Sequence, residues 1–156
     1  MDEPIHTDAN RRGTLIIVRI VWFALLVGQL GFGAVVYYQV RSGEAGDQSQ
    51  LSGQMLAIAS GILVGAVGLG YFARNQSYKK HWQGNCVSPP GFFQGNLILL
   101  ALLEMSSFVT LVFVMMTGQL FPMILPAMAS LAVQCANFPN GLPMQDTPPD
   151  FPLSPQ

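Results

Sequence analysis

Apolar residues in this chain neither alternate nor recur with the period of an amphipathic helix; they come in four long blocks separated by polar stretches. The blocks run over about 14–40, 54–72, 97–117 and 121–138. A helix needs roughly 20 predominantly apolar residues to cross the hydrocarbon core of a bilayer. The pattern therefore predicts an all-α integral membrane four-helix bundle filling residues 14–138. Outside it lie an N-terminal tail, 1–13, and a proline-rich C-terminal tail, 139–156, too polar to pack and expected to be disordered.

Composition supports the pattern. Hydrophobic residues are 51% of the chain and charged residues only 10%, a balance that suits lipid rather than water as the solvent for most of the surface. Arg11 and Arg12 precede the first block as they would in a secretory signal, but the block is longer than a signal core and Asp2, Glu3 and Asp8 dilute the positive end. An uncleaved span is expected. With four spans, the side holding both termini and the loop between the second and third blocks carries Arg11, Arg12, Arg74, Lys79 and Lys80. The other side has Arg41, beside Glu44 and Asp47. The positive-inside rule puts both termini in the cytoplasm of a multi-pass inner-membrane protein. Lys79, Lys80, His81 and Trp82 read as an interfacial anchor.

Catalytic chemistry is hard to find. No nucleophile stands with a base, no glycine loop suited to phosphate precedes a helix, and no basic surface suits nucleic acid. His6 and His81 lack neighbours at metal-ligand spacing, and Cys86 and Cys135 fall on a reducing side where a disulfide is not expected. The reading is a protein that is not an enzyme and uses no metal or cofactor.

Two features remain. In the second block Gly53, Ala57, Gly61 and Gly65 recur every four residues, with Gly68 beside them, leaving one stripe almost without side chains. Such seams let helix backbones approach closely in lipid. They suit a contact inside the bundle, a homo-oligomer, or the docking of a membrane-complex subunit. A weaker glycine group, Gly28, Gly31 and Gly33, lies near Gln29 in the first block.

The second feature is Glu104, inside a block otherwise free of charge. A carboxylate at the centre of a span costs on the order of 2.5–3.5 kcal/mol by insertion scales, so a compensating partner is expected. The third and fourth blocks form a tight hairpin around Thr117 to Leu120, with Pro122 suited to the first turn of the returning helix. Counting from Gln119 puts Glu104 and Gln134 at equal depth. Ser130, Gln134 and Asn137 share one helix face, and Ser107 lies one turn beyond Glu104. Arg19, in the first block, is a second partner within reach, unless it snorkels to the headgroups. An Arg19–Glu104 pair would be a structural device that fixes helix register. An unpaired, protonated Glu104 would be a carrier group. The predicted polar cluster is Glu104, Arg19, Gln134, Ser130 and Ser107.

The arrangement of Gly28-Gln29-Leu30, Ala101-Leu102-Leu103-Glu104, Thr117-Gly118 and Phe138-Pro139 resembles a group of small uncharacterised four-pass membrane proteins from bacteria, over most of the chain. That resemblance implies a fold and no activity. Gly61 to Gly70, Ala73-Arg74-Asn75-Gln76, and Ala101 to Glu104 followed by Leu111-Val112 are more distantly similar to the proteolipid, or c, subunits of rotary ATPases. This second resemblance implies that Glu104 would bind a translocated proton or sodium ion. The loop from Arg74 to Gly95, with Pro89 and Pro90, is longer than the proteolipid loop, and Arg19 is foreign to that family. Two functions stay open: a non-enzymatic scaffold or accessory subunit, and ion or proton translocation by an oligomer with Glu104 as carrier.

Overall fold

The computed structural model describes residues 8–83 and 85–145. His6, most of the N-terminal tail and the C-terminal tail from 146 on lie outside the described residues. Helix α1 spans Asp8–Ser42, α2 Ser52–Lys80, α3 Pro89–Thr117 and α4 Leu125–Ala136. Short 3-10 turns occupy Ser49–Leu51 and Leu142–Met144, and strands β1, Trp82–Gln83, and β2, Cys86–Val87, make one small hairpin. Among the described residues, three helices are long and apolar enough to cross a membrane: α1, α2 and α3. Their large outward side chains include Ile20, Phe23, Val64, Phe72 and Met105, each more than half exposed.

The fourth helix differs from expectation. It holds 12 residues, about 18 Å at the helical rise, where a span needs about 30 Å. Pro122 does not open it: the Phe121–Pro122 peptide is cis and lies in the preceding turn, and Pro126 takes the place in the first helical turn. The predicted third helix is too short instead, because hydropathy marks the apolar part of a helix and not its polar ends. Helix α2 continues through Arg74 to Lys80, and α3 begins at Pro89 and Pro90, where proline's missing N–H costs nothing. The connection is reduced to 81–88, closed by antiparallel pairing of Trp82 with Val87 and Gln83 with Cys86.

At the far end, α3 stops at Gly118, whose φ of +64° suits glycine and whose N–H reaches Val114 O at 3.0 Å. Its last carbonyls are satisfied from another loop. Gly46 N–H donates to Met115 O at 2.8 Å and Gln48 N–H to Met116 O at 3.2 Å. This contact needs two glycines, since a Cβ on Gly46 would lie 2.6 Å from Met116 O and one on Gly118 2.6 Å from Gly46 O.

Helix α3 is the hub, packing against each of the other three helices. Close approach to α2 runs through Gly70, where a Cβ would lie 2.6 Å from Leu99 Cδ1, and through Gly95, where it would lie 2.8 Å from the Tyr78 ring. Gly91 likewise abuts His81. The stripe expected to pack, Gly53, Ala57, Gly61, Gly65 and Gly68, is exposed, and a Cβ on any of its glycines would meet nothing within 4 Å. The choice between these glycine sets is decided by which face of α2 meets α3, information that spacing along one helix does not hold.

Two apolar clusters close the ends of the bundle. Val36, Leu111, Val114, Met123 and Ala127 form one; Val18, Tyr78, Val87, Phe92 and Met144 form the other. Met144 is 3% exposed, so the proline-rich tail expected to be disordered from 139 is packed as far as this residue. Between the clusters lies a layer of buried polar side chains, among them Gln29, Ser106, Ser107, Ser130 and Gln134.

Candidate functional site

Helix α4 joins one apolar cluster through Ala127 and carries a polar face beside it. Ser130, Gln134 and Asn137 lie on that face as their spacing predicts, but each reaches a different helix. Ser130 Oγ donates to Leu103 O of α3 at 2.7 Å. Gln134 is held from α1: Gln29 Nε2 donates to its side-chain Oε1 at 2.8 Å, and Trp22 Nε1 to its backbone O at 3.0 Å. Asn137, which caps α4, is held from α2: Arg74 Nη1 donates to its Oδ1 at 2.9 Å, and its Nδ2 donates to the Tyr71 hydroxyl at 2.6 Å.

The α1 side of this network is a stripe of Arg19, Trp22 and Gln29, at i, i+3 and i+10, spacings that bring all three to one face. Arg19 Nε donates to Pro139 O at 3.1 Å, and its guanidinium carbon stands 5.3 Å from the centre of the Phe138 ring. Trp22 meets the same ring edge to face, with centroids 5.1 Å apart. Thus α1 grips the last turn of α4 and the residues just after it.

Glu104 stays out of the network. Its Oε1 lies 3.9 Å from the position a Cβ on Gly28 would take, so the missing side chain of Gly28 makes room for the acid against α1. Among the described residues the carboxyl makes no hydrogen bond and no ion pair. The expected pair with Arg19 is not formed, because the guanidinium is turned to the end of α4. The expected level contact with Gln134 is also absent. Ser130 is the residue beside Leu103 and Glu104, since the returning arm does not start as a helix at the apex: α4 begins only at Leu125. Ser107 is buried, 2% exposed, and forms no hydrogen bond among the described residues. Of the five predicted cluster residues, the structure therefore joins Ser130, Gln134 and Arg19 to α4 docking and leaves Glu104 and Ser107 apart.

The amide pair is incompletely satisfied. Gln29 and Gln134 are 3% and 0% exposed, yet one bond joins them and Gln29 Oε1 and Gln134 Nε2 have no partner. Exchanging the amide O and N of both residues would leave the same count, one donor and one acceptor unpaired. Such orphaned groups in a low-dielectric interior carry a desolvation cost. The arrangement orients helices; it offers no nucleophile, and no three or more His, Cys, Asp or Glu among the described residues are placed to hold a metal. Both cysteines are free, and His81 Nδ1 lies 3.0 Å from Ser77 O.

Four side chains of the network are not predicted to join it: Trp22, Gln29, Tyr71 and Arg74. The seven-residue spacing of Trp22 and Gln29 was the available signal for the first two. Arg74 gave none, because hydropathy ended the second span at 72, where the helix goes on; Tyr71 lies inside that span, and nothing in its spacing points to Asn137. No family model, curated protein or solved structure matches this chain.

Proposed function

We propose that this chain is a small multi-pass inner-membrane protein that works without catalysis, as a scaffold or accessory subunit, with both termini cytoplasmic because the non-helical start of the returning arm and α4 together bring residues 137–139 back to the end of the bundle that holds Arg19 and Arg74. The observation that carries this reading is the use made of the buried polar side chains. Ser130, Gln134 and Asn137 each fix α4 against a different helix, α3, α1 and α2, which is what a rigid platform needs. The outward small-residue face of α2, at Gly61 and Gly65, supports association with a second copy, since close backbone contact is the main source of helix association in lipid.

The test is stoichiometry in lipid vesicles by single-molecule photobleaching, for the parent and for Gly61→Leu with Gly65→Leu. The expected result is a parent with more than one copy per complex and a monomeric variant that is at least as thermally stable. A parent that is monomeric at every protein-to-lipid ratio counts against the reading.

One observation favours the second function, translocation with Glu104 as carrier: the acid has no bonded partner among the described residues and is only partly buried. Vesicle flux assays with proton and sodium gradients separate the two. Flux that is lost in Glu104→Gln supports translocation; flux no greater than in protein-free vesicles removes it.

A further inference from the structure

Arg74 carries a charge that nothing in the described structure neutralises. It projects from α2 into a crevice of about 270 Å³ where α2 and α3 meet the end of α4, shared with Asn75, Asn96, Tyr78 and Asn140. Its Nη1 donates to Asn137 Oδ1, its Nε is buried without a partner, and its Nη2 makes no hydrogen bond among the described residues. The rings of Tyr71 and Tyr78 flank it, with centres 4.7 Å and 6.0 Å from the guanidinium carbon.

The acidic side chains described in the structure are elsewhere. Glu44 and Asp47 lie in the loop after α1, beside the opposite end of α3, and Glu104 faces Gly28. Arg74 is half-buried, with its Nε withdrawn from water, and a charge so placed is ordinarily paired. Its flat fork of donors suits the oxygens of a phosphate, and the aromatic flanks fix the plane in which those oxygens would lie. The neighbouring side chains are neutral amides and a phenol, which add hydrogen bonds without adding repulsion.

We propose that the Arg74 crevice binds a phosphate oxyanion, supplied either by an anionic phospholipid headgroup or by a free phosphate. The lipid source rests on the membrane reading above; the oxyanion site itself does not. The crevice lies between Arg74, about two turns from the end of α2, and Pro143 beyond the end of α4. This is the end of the bundle that carries Lys79 and Lys80, where headgroups would be met if the helices cross a bilayer.

The test follows the Arg74 Nε–H resonance of the full chain in dodecyl maltoside, assigned by its loss in Arg74→Gln. Dihexanoyl-phosphatidylglycerol and inorganic phosphate are titrated separately, with chloride as the control at matched ionic strength. Saturable movement with either phosphate is the expected result. With the lipid alone the source is the headgroup; with inorganic phosphate alone it is the free anion, which would be seen even if the helices did not cross a membrane; with both, the tighter-binding one is the source. Ala136→Leu narrows the crevice while keeping Arg74 and its bond to Asn137, and should weaken binding at least about tenfold should the Gln variant fail to fold. No saturable movement with either phosphate, or equal movement with chloride, overturns the proposal. So does binding that appears only in Asp146→Asn with Asp150→Asn, which would mean that the chain's own tail holds the site.

Discussion

Arg19 Nε donates to Pro139 O at 3.1 Å, which commits the guanidinium to the segment following α4 and leaves Glu104 without it. This contact joins α1 to a part of the chain far away in sequence. The cation also lies over Phe138, whose edge meets Trp22, so one arginine and one indole share a single aromatic ring as their docking point.

Arg19→Gln should therefore loosen the end of α4 and leave Glu104 as it was. The expected loss is about 1 kcal/mol, for one charge-assisted hydrogen bond and an exposed cation–π contact. Hydrogen exchange at residues after Ala136 should rise, while the infrared carboxyl band of Glu104 should not move. A changed carboxyl band would restore the Arg19–Glu104 pair.

Gly118→Ala should destabilise the loop between α1 and α2 as well as its own turn. The left-handed backbone at Gly118 costs an alanine about 1 kcal/mol, and its Cβ would press on Gly46 O. Displacing Gly46 also frees the Met115 carbonyl. Limited proteolysis near 43–48 should become at least several times faster in the variant.

The two glycine sets of α2 and α3 should respond oppositely to alanine. Gly95→Ala meets the Tyr78 ring and Arg74, and Gly70→Ala meets Leu99, so each should cost about 1–3 kcal/mol as overpacking does. Gly61→Ala enters open space and should raise the stability of the monomer by up to about 1 kcal/mol through helix propensity. Thermal unfolding in detergent compares them directly.

Much of the architecture is legible in the apolar blocks, because three of them extend into helices long and apolar enough to cross a membrane. The face of Ser130, Gln134 and Asn137 is legible as well: three polar residues at helical spacing can only share one side. What those residues touch is not. Glu104 and Gln134 fall level if a hairpin is counted symmetrically, yet the non-helical start of the returning arm moves Ser130 into that place. The glycine stripe from Gly53 to Gly68 has the spacing of a packing seam and faces outward, whereas the glycines that do pack are Gly70 on α2 and Gly91 and Gly95, four residues apart on α3, so the same spacing is exposed on one helix and buried on the other. Register between helices is a property of pairs, and a single helix carries only half of it.

The central claim is that three buried polar side chains, Gln29, Ser130 and Gln134, dock α4, with Gln29 and Gln134 at the middle of that contact. A double-mutant cycle on Gln29→Leu and Gln134→Leu, read by reversible unfolding in detergent, tests it most directly. Each single variant should cost about 1–2 kcal/mol, because it leaves the other amide buried and unpaired. The double variant should cost less than the sum by at least about 0.6 kcal/mol, the mean strength of such bonds in membranes, since it also removes the two orphaned atoms. Additive effects, or single variants as stable as the parent, would contradict the account.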